Sequence, residues 1–284
     1  RPPCAPDPSG SGARSRAHVG RGPAEGGAGG QLGEAFMQLN RMLANEPDKA
    51  AILRLVRALA QPYPDVAEAH FAVALAAYNT GLGDVAIAGV AIQAANRALA
   101  LKAGWEPAVL LKSEILAKQS PEQAASYLVD FLQTEPESKA GLSALAQVRI
   151  QQKRYADALA ILERLWQQDR SNREYQFGMA MLAIQMKDWA KAEALFEDLQ
   201  RADYGDDGIV EFYLAQIAEE TGRHELALER FRAVPEGERG WIAKLRAATV
   251  LGKLGRVDEA RRYLADLPAV TVQQRVQVRQ AEAQ

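Results

Sequence analysis

The sequence predicts an all-α solenoid, a stack of antiparallel helix pairs. Three observations lead there. Alanines recur on a grid of about 34 residues, glycine and proline retreat to punctuation between helix-length segments, and no stretch alternates apolar and polar residues as a half-buried strand would. Aromatic residues are only 7% of the chain while hydrophobic residues are 48%, so alanine supplies much of the apolar surface, as close helix-on-helix contact requires.

Residues 1–31 have a different texture. Residues 1–30 hold 8 glycines and 5 prolines, with Val19 the only large apolar side chain, too little to offset ordering entropy. They are expected to form a disordered Gly/Pro-rich tail. The solenoid is expected over 32–284. A helix is predicted from near Leu32, through Ala35, Leu39 and Met42, to Pro47, and a short irregular one over 49–60 before Pro62, Tyr63 and Pro64. Residues 66–101 read as a helix pair with extra residues around Thr80 to Val85. Ala124, Leu128, Phe131 and Pro136 place the second helix of another pair at about 121–134.

From residue 139 the grid is regular. Ala158, Ala192, Ala227 and Ala260 are each preceded by twelve residues by Ala146, Ala180, Ala215 and Ala248. Four residues after the central alanines stand Leu162, Phe196, Phe231 and Leu264. Seven after stand Leu165, Leu199, Val234 and Leu267. The small residues allow the two helices of a unit to approach. The large ones share one face of the second helix and are expected to meet the next unit. No pair can bury its own face, so about six pairs must stack. Residues 271–284 read as the first helix of a further unit, so the solenoid is expected to be truncated at its C-terminal end, and this uncapped helix could drive dimerisation.

This pattern resembles the tetratricopeptide repeat family, strongly over 139–270 and fairly over 32–136. The resemblance implies a right-handed superhelix and a protein-binding scaffold. Departures occur where the family expects Trp or Leu in the first helix, at Gln176, Glu211 and Lys244, and where it expects a terminal proline, at Arg170 and Tyr204. Residues 63–72 and the repeats after them are weakly similar to bacterial envelope-associated repeat proteins, which favours periplasm or cell envelope over cytoplasm. It also supports an alternative: a fragment of a larger envelope-biogenesis or regulatory protein whose anchor or activity lies outside this chain.

Chemistry-bearing constellations are absent from the pattern. His18, His70 and His224 have no second His or Cys at ligand spacing, and Cys4, the one cysteine, stands in the tail. No catalytic residue, metal or cofactor is expected, and the protein is read as a non-enzyme. A net charge of -2 gives no reason to expect nucleic acid. No apolar run nears the roughly 20 residues of a membrane helix, so no membrane insertion is expected of this segment. Charge is uneven: residues 188–238 hold 14 acidic and 5 basic residues, and 239–284 hold 9 basic and 4 acidic. A bipolar partner surface and ordinary solvated faces are both open readings.

The resemblance further implies a concave groove lined by the second, fifth, ninth and thirteenth residues of each first helix. On this chain the candidates are Gln147 and Gln151; Phe177, Met181 and Gln185; Phe212, Gln216 and Glu220; Thr249 and Lys253. Amides with adaptable apolar side chains suit a peptide or helix of a protein partner. The Lys and Asn cluster that clamps a C-terminal carboxylate in some family members is missing here, so that mode is not expected.

Overall fold

The computed structural model describes residues 28–282, apart from 44, 206, 207 and 268–270. Among the described residues there are fifteen helices and no strand. The chain enters through α1 (Ala28–Leu43) and α2 (Lys49–Ala60), both packed on α3. Six antiparallel pairs follow: α3 (Ala67–Thr80) with α4 (Val85–Leu101), α5 (Glu106–Gln119) with α6 (Pro121–Thr134), α7 (Lys139–Gln151) with α8 (Tyr155–Gln168), α9 (Arg173–Gln185) with α10 (Trp189–Arg201), α11 (Ile209–Glu220) with α12 (His224–Ala233), and α13 (Glu238–Lys253) with α14 (Val257–Ala265). Helix α15 (Val272–Glu282) lies against α13 and α14.

Helix α1 begins at Ala28, four residues before Leu32, where the sequence places the start of the solenoid. The rest of the expected tail, with Cys4 and His18, lies outside the described residues. Helix α2 is regular, not irregular: Asp48 caps it by accepting from the Ala51 N–H at 2.8 Å.

The alanine grid is the seam of the stack. All eight grid alanines are buried. Phe196 and Leu199 of α10 pack with Val210, Leu214 and Ile217 of α11, so the second helix of each unit does meet the next unit. Phe231 and Val234 repeat this with Ala243, Ala247 and Val250 of α13. Polar residues at the departures are satisfied locally. Gln176 is buried but accepts from Arg173 and donates to the Leu195 carbonyl, and Glu211 pairs with Arg230 at 3.2 Å.

The turns inside the units repeat as closely as the helices. Lys153, Lys187, Gly222 and Gly255 all have positive φ, between 57° and 77°. The next residue's N–H reaches back five residues each time, as from Arg154 to Arg149 O at 2.8 Å and from Arg223 to Ala218 O at 2.8 Å, closing the helix end. Two lysines thus hold a conformation that suits glycine. Lys187→Gly is expected to stabilise the protein by about 1 kcal/mol in urea titration, after the entropy of the unfolded chain is discounted; a loss of stability would show that the lysine side chain matters there.

Ion pairs stitch successive repeats. Arg97 pairs with Asp65, Lys191 with Glu163, Arg223 with Glu193 and Arg256 with Glu225, the cation reaching back about one repeat each time. The basic C-terminal units neutralise the acidic ones before them, through Arg256, Arg246 and Lys253 reaching back to Glu225 and Glu219. Apart from those to the buried Glu219, these pairs are exposed and add at most about 1 kcal/mol each, so they tune register more than stability.

Candidate functional site

The first helices of successive units touch: α3 with α5, α5 with α7, α11 with α13 and α13 with α15. A stack curves toward the layer whose members approach most closely, so these helices form its inner face. On that face a cleft of about 470 Å³ spans α3, α5 and α7. Its walls are Tyr78, Leu110, Ser113, Glu114, Lys118, Ser143, Gln147 and Gln151, with small residues Ala117, Ala140 and Ala144 between them.

The small floor lets the cleft open, and the rim carries its chemistry. Gln147 and Gln151 are exposed, each offering an amide donor and acceptor. Glu114 and Lys118 are exposed on α5. Burial, and then the Glu114 carboxylate beside it, raise the Tyr78 hydroxyl above its usual pKa, so it stays a neutral donor. Such a lining offers hydrogen-bond donors and acceptors beside a modest apolar surface. Among the described residues no group of His, Cys, Asp or Glu could hold a metal ion, and no helix is long and apolar enough to cross a membrane.

The structure brings only some of the candidate residues together. Gln147 and Gln151 share this cleft. Phe212 lines a second one, of about 370 Å³, with Ile242. Gln185 and Glu220 are exposed near the C-terminal ends of α9 and α11, while Met181 and Gln216 are half-buried. Phe177 is held among Phe196, Tyr204 and Tyr213, with ring centroids 5.6–6.0 Å apart. Thr249 donates to its own helix at Leu245 O. Lys253 is tied at 2.7 Å to Glu219, whose side chain is only 1% exposed and which Arg246 approaches to 3.4 Å.

The α5 wall was not legible from the repeat grid, for a specific reason. A single residue, Ser120, joins α5 to α6, serving as C-cap of one and N-cap of the other, where later units use three. The small residue of α5 in the register of Ala146 in α7 is therefore Ser113, eleven residues before Ala124 and not twelve, buried and donating to Leu110 O. Allowing that slip would have placed Leu110, Glu114 and Lys118 on the inner face.

Residues 116–182 and 150–208 match the family model described as tetratricopeptide repeat. Residues 116–208 carry tetratricopeptide repeats. Solved structures with this fold include PilF of Pseudomonas aeruginosa, 19% identical, with 75% of this chain and 96% of that one covered and a TM-score of 0.53. A tetratricopeptide repeat protein from Parabacteroides merdae is 12% identical, with 89% and 98% covered and a TM-score of 0.55. PilW, a widely conserved type IV pilus biogenesis factor, is 15% identical, with 74% and 97% covered and a TM-score of 0.55. The comparison with curated proteins finds no match. The right-handed superhelical solenoid of antiparallel pairs is thus the fold of this chain. Its architecture is that of a protein-interaction scaffold.

Within these repeats Tyr204 replaces the terminal proline. Its hydroxyl donates to Glu174 at 2.9 Å, and burial, followed by that carboxylate, pushes its pKa up to about 12. An unfolded tyrosine titrates near 10. The raised value contributes stability that is whole below pH 10 and lost as pH rises through 12. Tyr204→Phe is therefore expected to flatten the fall in melting temperature between pH 10 and 12; an unchanged slope would mean that Tyr204 does not titrate with unfolding.

Proposed function

We propose that this protein is a non-catalytic scaffold that holds a peptide or helix of a protein partner against the inner face of the solenoid. The cleft between α3, α5 and α7 supports this reading best. It is concave, built on rigid helices, and offers two exposed glutamines, a neutral tyrosine and a Glu–Lys couple around small apolar residues. The remaining candidates, Phe177, Met181, Gln185, Phe212, Gln216, Glu220, Thr249 and Lys253, extend the same face. Phe177, fixed by three aromatic neighbours, serves the core, so a variant there would confuse folding with binding.

The test uses exposed residues. A Gln147→Ala, Gln151→Ala variant should keep its helicity and melting temperature and weaken a captured partner about 10-fold or more, at about 1 kcal/mol per lost hydrogen bond. A partner retained at full affinity would remove the cleft from the binding surface.

Two subsidiary readings have one observation each. Val276 is exposed on α15, which leaves an apolar side chain for dimerisation; a Val276→Glu variant would then scatter light as a smaller species. Placement within a larger bacterial envelope-biogenesis or regulatory protein draws support from the naming of PilW as a pilus biogenesis factor, a likeness that at 15% identity is one of fold.

A further inference from the structure

Two successive repeats differ in one aromatic slot. The step from Ala192 to Ala227 is 35 residues. The same step carries Phe177 to Phe212, Tyr204 to Arg239 and Glu174 to Ile209. In the earlier repeat Tyr204 lies tilted against Phe177, with centroids 5.6 Å apart and an interplanar angle of 33°, and its hydroxyl meets Glu174. In the later repeat, among the described residues, no ring meets Phe212 from that position, where Arg239 stands. Phe212 touches Tyr213 and Phe231 on its core side and on the other borders the cleft of about 370 Å³. Ile242 forms the apolar wall opposite, and Glu236, Gly237, Glu238 and Arg239 form the rim.

The rim is built to remain open. Gly237 has a φ of 137°, a conformation that side chains avoid, and a Cβ there would meet nothing within 4 Å. Gly240 lies so close to the Pro235 carbonyl that a Cβ would fall 2.1 Å from its oxygen, which holds the start of α13 tightly to the preceding loop. Glu236 and Glu238 are both exposed, and Glu236 is paired with Lys244 at 2.5 Å, so Glu238 is the carboxylate the entrance offers.

We propose that this second cleft receives a tyrosine side chain of the partner. The inference rests on the scaffold reading and adds the chemistry of one anchor. The phenol ring would lie on Phe212 and Ile242 as Tyr204 lies on Phe177, and the hydroxyl would donate to Glu238 as the Tyr204 hydroxyl donates to Glu174. Aromatic anchors entering a pocket are the usual dominant contacts of such interfaces.

The experiment is a nuclear magnetic resonance titration of the full chain, labelled with 15N, against p-cresol and against the peptides Ac-Lys-Tyr-Lys-NH2 and Ac-Lys-Ala-Lys-NH2. The expected result is saturable shifts at the Gly237 and Ile242 amides with p-cresol and the tyrosine peptide, with a Kd on the order of 1 mM, and none with the alanine peptide. Arg239→Tyr, which supplies a ring at the position equivalent to Tyr204, should abolish those shifts in a protein that remains folded by circular dichroism. Phe212→Ala should weaken them at least 5-fold. Absence of saturable shifts, equal shifts with both peptides, or full binding by folded Arg239→Tyr would overturn the proposal. A protein that loses its partner on substitution of Gln147 and Gln151 yet ignores p-cresol would keep the scaffold reading and lose this anchor.

Discussion

Phe196→Ala is expected to destabilise the protein by about 3–5 kcal/mol, since it removes a large side chain from the joint between two repeats. Phe196 is fully buried. It stacks on Tyr213 of α11 at 5.2 Å and meets Phe177 of α9 edge-on at 5.9 Å, so a single ring touches three helices of two units. The cavity has little chance to collapse, because Ala180 and Ala192 beside it have no side-chain length with which to fill it. A solenoid is held by nearest-neighbour interfaces, so the loss falls on one joint. Urea unfolding followed by circular dichroism should show both a lower midpoint and a broader transition, as the units on either side begin to unfold separately. Phe196→Leu should lose much less. A loss below 1 kcal/mol for the alanine variant would mean that the joint repacks and that the stack is not held at this ring.

The second large effect is electrostatic. Replacing both Arg246 and Lys253 with alanine should cost about 3 kcal/mol, because it strands Glu219 in the core without a cation. Glu219 belongs to α11, while Arg246 and Lys253 come from α13. Both cations are partly exposed, which keeps the figure at the low end of that for a broken buried pair. Adding Glu219→Leu to the double variant should recover most of the loss, since a packed apolar residue needs no partner. A double variant as stable as the parent, or a triple variant no better than the double, would show that Glu219 does not depend on these two cations. The pair also bears on function: Lys253 is a groove candidate whose charge is already engaged within the protein.

Much of this protein was readable before any coordinates. The boundaries of α6 and the loop between α3 and α4 follow from proline, glycine and the alanine grid, and the match between Phe196 or Phe231 and the following repeat follows from their offset. The site was readable only in part. Positional analogy reached Gln147 and Gln151 but not Leu110, Glu114 and Lys118, because the one-residue link at Ser120 shifts α5 off the grid. It placed Phe177 and Phe212 as equals, though one ring is covered by Tyr204 and the other borders a cleft. It did not foresee that Lys153 and Lys187 would take the turn conformation of Gly222 and Gly255.

The sequence by itself determined the periodic part of this protein: the helix pairs, their small-residue seams, and the direction in which each unit faces the next. These depend on spacing along one chain, and spacing is visible in the letters. The tertiary structure alone decided which inward-facing residues are open and which are consumed by neighbours. Phe177 is covered from residue 204, Lys253 is held from residue 219, and the first cleft is closed on one side by Tyr78. Each of those partners stands about a repeat or more away, and only the superhelical stacking of one unit on another sets the distance between them.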